Sequence, residues 1–569
     1  MEFFLKTIQA QCKDCYKCVR HCPVKAIKVH TGHAQIWQER CILDGHCLSV
    51  CPQGAKQVLS DVDKVKTYLQ QDTPVVVSLA PSYIASCHHP HKIVAGLKAL
   101  GFSYVEETAN GAELVAWAHR AYIEAHKGPF IASSCPGVVN LIEKHYPAAR
   151  DYLIPIVSPM IAHGHLLRES YGPQCRVVFI GPCVAKKGEA AETQFQGVID
   201  AVLTFTQLEE FFQDAGIDWA QLEAQPFDRP RTKWARLFPI GGGLLKTAHL
   251  TTDMLDQEMI TVTGIQECQG MLKLLLSTEV PYRLIEMLAC SGGCIDGPCI
   301  PVEDNIFEKR RRLMEHVHRQ NKTVTEVQME EPTLPSWLHR HYQDRQLRLP
   351  RPSDEEIRGI LAKIGKPTPE QELNCGACGY DSCQEKAIAV YHGVAENEMC
   401  IPYMRAKAES LADLIIESTP NGIIVVDQNM EILAINPTAE RLFHCRAADL
   451  LHHPVEELIP SDGFRKALQE RSVIAQQREY PKYNLITHQY LFAPEDQEVV
   501  VGIFNDITSE QRQKAELSLL RRTTLENAQE VIDKQMRVAQ EIAGLLGETT
   551  AETKVLLTKL MELMQEDVG

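Results

Sequence analysis

The chemistry of this chain is carried by thiols. Residues 11–23 read QCKDCYKCVRHCP and place Cys12, Cys15, Cys18 and Cys22 in a C-x2-C-x2-C-x3-C-P run. Residues 41–52 read CILDGHCLSVCP and add Cys41, Cys47 and Cys51, with Asp44 where a second run of that spacing needs a cysteine. Single cysteines follow in IASSCPG (Cys135) and RVVFIGPCVAKKGE (Cys183), a pair in EMLACSGGC (Cys290 and Cys294), and a last group at Cys375, Cys378, Cys383 and Cys400. Taken alone, Cys290 and Cys294 could hold zinc, close a disulfide or bind an iron-sulfur cluster. The run at 12–22 is more specific, because zinc sites need two separated pairs and not a following proline. A thiolate at the end of each of several distant segments is what an iron-sulfur cluster needs, and it sets the question of which elements bring them together.

The elements are those of an ordinary α/β protein. VVVSLAP from Pro74 reads as a buried strand, with helical stretches at Ile93 to Leu100 and Ala112 to Glu124. The segment before Cys135 reads as an apolar strand ending at that cysteine, and RVVFIG as another ending just before Cys183. At 569 residues the chain has room for about four domains. A formal charge of -16 argues against a nucleic-acid partner, which would want a basic face. Neither a signal peptide nor an apolar run long enough to span a membrane is found, so the expected location is cytoplasmic. Reduced cytosolic thiols point to metal and away from disulfides. Cys87, Cys175, Cys268, Cys299 and Cys445 lie outside the clusters and read as structural thiols.

The N-terminal runs resemble those of two-cluster bacterial ferredoxins, in which the fourth cysteine of each run serves the other cluster. The resemblance implies one 4Fe-4S cubane on Cys12, Cys15, Cys18 and Cys51. It implies a second on Cys22, Cys41 and Cys47, with Asp44 either an oxygen ligand or a solvated loop residue beside a three-iron cluster. A carboxylate is a harder donor than a thiolate and holds iron less well there.

Downstream, SSCPG, GPCVAKKGE and EMLACSGGC resemble, in order, the three signature segments of [FeFe]-hydrogenases over roughly residues 73–345. The resemblance implies an H-cluster: a 4Fe-4S cubane on Cys135, Cys183, Cys290 and Cys294, with Cys294 bridging to a diiron subcluster. It also implies roles for Lys186, as a charged donor to a cyanide ligand, and for Glu189. Ser158 and the turn Ala80-Pro81-Ser82 fall at pocket-lining positions of the family. The chain departs from productive members at Ser134, where they carry a second cysteine, at Gly181 and Leu288, where they carry methionines, and at Asn110, where they place a proton-relay glutamate. A thiol titrates near ~8.5, whereas a serine hydroxyl needs a water chain to pass a proton, so slow turnover is expected, unless a relay runs through water or a carboxylate such as Glu113.

PIGGGLLKT at 239–247 lacks the spacing of a phosphate loop and reads as a strand-to-helix turn, and HHPH at 88–91 reads as a surface loop. Residues 308–353 read as a solvated helix and linker. CGACGYDSC followed by Cys400 resembles a small 4Fe-4S module, and residues 411–508, with N-P-x-A-E-x-L-F and a closing IFNDIT, resemble a PAS domain. Beyond Ser509 the chain reads as helical. Leu525, Ala528, Ile532, Ala539, Ile542 and Leu546 form a short heptad that either makes a dimer seam or packs on the PAS domain, and an amphipathic helix follows at Ala551 to Met564.

The expected fold class is therefore multidomain α/β and α+β: a ferredoxin-like domain (1–60), an α/β H-cluster domain (73–345), a helical 4Fe-4S module (354–405), a PAS domain (411–508) and C-terminal helices (509–569). Expected partners are H2 and protons, an electron carrier such as ferredoxin, a signalling kinase or phosphatase in trans, and a second copy of the chain. The expected function is H2 sensing at a slow H-cluster; a metabolic ferredoxin-linked hydrogenase and a non-catalytic iron-sulfur scaffold are the alternatives.

Overall fold

A computed structural model describes residues 3–229, 232–253, 255, 257–321, 333–495, 497–543, 554–556 and 558–559. Leu546 and nearly all of the expected helix at 551–564 lie outside them. The chain divides into two compact units, Met1–Met404 and Arg405–Gly569. The fold class is the expected mixture of α/β and α+β. Among the described residues no helix is long and apolar enough to cross a membrane.

The first unit opens with two antiparallel pairs, β1 (Leu5–Thr7) with β4 (Lys56–Val58) and β2 (Ile27–His30) with β3 (His33–Ile36). Two five-residue helices, Lys17–His21 and His46–Val50, each start after a left-handed residue, Tyr16 at φ 51° and Gly45 at φ 74°. Each helix presents two cysteines of a run, one inside it and one at its C-terminal cap.

Two parallel sheets form the body. One has the order β6-β5-β8-β9, from β5 (Val75–Leu79), β6 (Tyr104–Glu107), β8 (Arg176–Gly181) and β9 (Ala201–Thr204). The other has the order β10-β11-β7, from β7 (Phe130–Ile131), β10 (Met259–Thr263) and β11 (Leu284–Leu288). All five residues of β5 are buried, as a strand flanked by two parallel neighbours requires, which is why its sequence runs apolar without alternation. β7 is only two residues long and stops four residues short of Cys135, which instead sits at the N-cap of helix Pro136–His145.

Two other expectations change. The glycines of PIGGGLLKT do not follow a strand: they join a 3-10 turn, Ala235–Leu237, to helix Gly243–Thr247. The charged stretch after 332 is no solvated linker, because Leu338 and Arg340 are buried and backbone bonds tie Val157 to Leu338 and Arg340 to Pro155. Ion pairs and hydrogen bonds satisfied inside the fold make a charged sequence look like a surface segment.

The second unit carries an antiparallel sheet of order β13-β12-β16-β15-β14, built from β12 (Gly422–Asp427), β13 (Ile432–Ile435), β14 (Ile474–Tyr480), β15 (Leu485–Phe492) and β16 (Val499–Asp506). Asn436 caps helix Pro437–Leu442 by accepting from Ala439 N, with proline at the first turn. β14 was not foreseen, because IAQQREY is polar and alternates half-exposed with exposed. Helix Thr508–Ala543 follows β16 and meets the sheet at its first turns, through Thr508 with Ile486 and Gln511 with Gln477. Further on, Leu519, Leu520, Val531 and Ile542 are exposed.

Candidate metal centre

The loops after β5, β6, β8 and β11 and the approach to helix Pro136–His145 converge at the carboxyl ends of the two parallel sheets, where open α/β folds place their sites. There Cys135, Cys183, Cys290 and Cys294 line one cavity of about 100 Å³. One water needs only ~10–15 Å³, so the space takes a group of many atoms. Burial pushes the Cys183 thiol up to about 11, with Cys135 adding to it, and raises Cys290 and Cys294 further. Crowded, buried thiols of this kind give up their protons to a metal and not to water.

Gly293, at φ 75°, is required at the turn between the last two cysteines. A Cβ there would run into the Pro239 carbonyl and stand 3.1 Å from Ile240 Cα. Cys294 N donates to the same Pro239 carbonyl at 2.6 Å, so this close approach fixes where the last thiol points.

Ala80, Pro81, Ser82, Ser134 and Lys186 line the cavity. The Ser82 hydroxyl is buried and has no hydrogen-bond partner among the described residues, which leaves a donor facing the cavity. Glu189 and Ser158 do not line it. They stand behind Lys186: Lys186 Nζ donates to Glu189 Oε2 at 2.8 Å, the Ser158 hydroxyl donates to the same oxygen at 2.8 Å, and Arg340 Nη1 donates to Oε1 at 2.7 Å. Burial would raise the Glu189 carboxyl, but the Lys186 and Arg340 charges outweigh it and hold the group below its usual range, so it stays ionised. Ser158 was placed one residue too early, since Pro159 and Met160 are the lining residues.

Asn110 donates to Glu106 Oε2 at 3.2 Å and is not among the lining residues, whereas Thr108 and Ala112 are. Leu288 lines the cavity, and the space over Gly181 is taken by the Phe179 ring, whose Cε1 and Cζ would lie 2.8 Å from a Cβ there. Thr108, Phe179 and Arg340 were missed; a strand position two before a glycine was the one signal that could have pointed to Phe179.

Leu43 and Asp44 also line this cavity, so the second cysteine run reaches it directly. Asp44 is only partly exposed, and its charge bears on Cys22, Cys41 and Cys47, which is not the setting of a solvated loop residue. Cys18, pushed up by burial against the pull of Lys56, has Cys12, Cys51 and Cys15 as its thiol neighbours. The crossed grouping of the two runs is thus the spatial one. Helix Pro136–His145 ties the second run to the cavity: Asn140 Nδ2 donates to Ile42 O at 3.1 Å and Lys144 Nζ to Cys41 O at 2.6 Å. Cys375, Cys378, Cys383 and Cys400 line a separate small recess with Lys366, whose ammonium donates to Cys383 Sγ at 3.1 Å.

Residues 73–298 match the family model of the iron-only hydrogenase large subunit, C-terminal domain. Residues 5–64 match a 4Fe-4S dicluster domain, 371–402 a putative Fe-S cluster domain and 411–489 a PAS fold. The chain is 26% identical over 343 residues to the NADP-reducing hydrogenase subunit HndD of Solidesulfovibrio fructosivorans, covering 48% of this chain and 58% of that one. It is 26% identical over 375 residues to the periplasmic [Fe] hydrogenase large subunit of Nitratidesulfovibrio vulgaris, covering 54% and 89%. It is also 22% identical over 352 residues to the cytosolic iron-sulfur assembly component 3 of Pongo abelii, covering 49% and 73%. The chain is thus a hydrogenase-like iron-sulfur protein with a PAS domain, and the cavity of its hydrogenase domain suits an H-cluster: four thiols, a cation and an unpaired hydroxyl face one space.

Proposed function

We propose that this chain is a cytoplasmic H2 sensor that binds or slowly oxidises H2 at an H-cluster and passes its redox state through 4Fe-4S clusters and the PAS domain to a partner. The observation that carries the reading is the cavity in which Cys135, Cys183, Cys290 and Cys294 meet Lys186, itself held by an ionised, buried Glu189. An H-cluster bound there would supply an open iron site for H2 beside an amine base. The four thiols would hold it, Lys186 and Ser82 would donate to its anionic ligands, and Phe179, Met160 and Leu288 would keep water out. Ser134, at the position of the usual thiol, would pass protons slowly.

Electrons would enter or leave by the two N-terminal cubanes, on Cys12, Cys15, Cys18 and Cys51 and on Cys22, Cys41, Cys47 and Asp44, and by a C-terminal cubane on Cys375, Cys378, Cys383 and Cys400. The domains would run 1–60, 73–345, 354–405, 411–508 and 509–569. The electron partner would be a ferredoxin-like carrier, the output a kinase or phosphatase in trans, and the exposed apolar residues of helix Thr508–Ala543 a seam for a homodimer.

Infrared spectroscopy of protein produced with hydrogenase maturation machinery tests this. Carbon monoxide and cyanide stretching bands, with H2 uptake slower than in metabolic hydrogenases, are expected. Absence of those bands would leave the second reading, an iron-sulfur scaffold, which the loss of a thiol at Ser134 and the likeness to an assembly component favour. Fast H2 evolution would instead favour a metabolic enzyme.

A further inference from the structure

Chemistry that makes or consumes protons in a closed cavity needs a route for them, and Ser134 is a poor first carrier. Another set of side chains leads away from the same cavity. Thr108, which follows β6, lines it. Its hydroxyl is 2.8 Å from that of Ser78 in β5, and Ser78 Oγ is 2.7 Å from His163 Nδ1. His163 Nε2 is 3.2 Å from Glu106 Oε2, and the Tyr171 hydroxyl donates to Glu106 Oε1 at 2.7 Å. Thr108, Ser78, His163 and Glu106 are 4%, 0%, 0% and 1% exposed. The outer end is different: Arg229 Nε lies 3.3 Å from Glu106 Oε1, and its side chain is 42% exposed.

The fold holds this line in place. Ser78 is the one polar residue of VVVSL, and a hydroxyl in a fully buried strand is costly unless bonded. His163 reaches it because helix Ala109–Ala125 crosses helix Pro159–Tyr171 at Gly111, where a Cβ would lie 2.6 Å from His163 N. A purely structural network would serve equally well if it ended in the core, and this one runs from the cavity to two partly exposed side chains, Tyr171 and Arg229. Every inner member can both donate and accept, which a relay requires.

We infer that Thr108, Ser78, His163 and Glu106 are a proton relay joining the cavity to the surface at Arg229 and Tyr171; its service to H2 chemistry rests on the function proposed above. Moving inward, the partly exposed Tyr171 hands its hydroxyl proton to Glu106 Oε1 and regains one from solvent, and Glu106 passes a proton to His163 Nε2. The Nδ1 proton moves to Ser78 Oγ, the Ser78 proton to Thr108 Oγ1, and the Thr108 proton into the cavity. One proton enters and one leaves, Glu106 returns to carboxylate, and the hydroxyls and ring tautomer reset before the next. Outward transfer is the same sequence reversed.

Two measurements test the relay. Neutron diffraction from crystals of the full chain, prepared with its iron-sulfur clusters and soaked briefly in D2O, reads it without turnover. Deuterium is expected at Ser78 Oγ, Thr108 Oγ1 and the His163 ring, and His163→Phe should leave protium on both hydroxyls. Protium retained throughout the parent chain, or hydroxyls exchanged equally in His163→Phe, overturns the relay.

In matured protein, Ser78→Ala and Thr108→Val keep the volume nearly unchanged and do not depend on His163→Phe folding. With carbon monoxide and cyanide bands intact, their exchange of H2 with D2O should fall on the order of 100-fold. A parent-like rate with intact bands overturns the relay. Absence of the bands from the parent defeats the H2 reading alone, and the neutron result still decides the relay.

Discussion

Asp44 shows what one residue does when it replaces a thiol. It stands among Cys22, Cys41 and Cys47 and lines the hydrogenase cavity, where the fourth ligand of the proposed set would sit. Burial raises its carboxyl above the usual range, against the pull of His46, and a carboxylate is a weak, hard ligand for iron in such a cluster. On the proposed ligand set, mild oxidation should strip one iron from this cluster and give a three-iron electron paramagnetic resonance signal, and Asp44→Cys should abolish that signal and shift the cluster potential. An unchanged signal and potential in the variant would exclude Asp44 as a ligand. The thiols themselves were legible because metal ligands announce themselves by type and spacing. Ser158 was misplaced because a motif gives a position in the chain and not the direction of a side chain. Lys186 and Glu189 lie three apart on one helix, yet Lys186 faces the cavity and Glu189 faces Arg340.

Helix Ala109–Ala125 shows how one element serves both packing and the site. Gly111 admits the neighbouring helix, and on the same element His119 is fully buried, with Ser133 N donating to its Nε2 at 3.2 Å and Val115 O lying 2.8 Å from Nδ1. The ring therefore accepts at one nitrogen and donates at the other, which is the neutral form. Burial pushes its pKa down to about 4, against an unfolded value of ~6.5, so acid protonates the unfolded chain first. Stability from this group is complete above the unfolded value and is lost as pH falls from there toward the folded one. Urea unfolding of the full chain should show a loss from His119 of about 1 kcal/mol between about pH 7 and about pH 5.5, absent in His119→Gln. His145, also lowered to about 4 by burial, adds a loss of the same sign in both proteins. An equal pH slope in the variant and the parent would refute this account. The helix was legible from its apolar periodicity, as was β5 from its unbroken apolar run. The segment around Arg340 was not, because its charges are satisfied internally by Glu189 and Glu192, and sequence cannot distinguish a charge paired in the core from one in water.

Across the first unit, the three outlying thiol sets are packed edge to edge. The second run reaches the hydrogenase cavity through Asp44, and the first run meets the C-terminal module at Gly379, where a Cβ would lie 3.0 Å from both Arg20 N and Val19 Cγ1. Arg20 Nη1 donates to Ala377 O at 3.4 Å across the same contact. Tyr380, buried and with its hydroxyl unpartnered among the described residues, carries the charges of Cys378, Arg40 and Cys22 around it, so it stands between two ligand sets. The family likeness implied these clusters one by one; their contact could not be read from the sequence, because the touching helix and loop are more than 350 residues apart, at Arg20 and Ala377. On the proposed ligand sets, such contact would put a C-terminal cluster within reach of the N-terminal ones and make the ferredoxin-like region the junction of the wire. If so, full reduction should split the resonance of the C-terminal cluster by magnetic coupling to its neighbour. Gly379→Val, which needs a left-handed residue and has no room for a side chain, should remove the splitting while leaving the iron content unchanged. Splitting that persists in the variant, or is absent from the parent, would show that electrons do not pass by this contact.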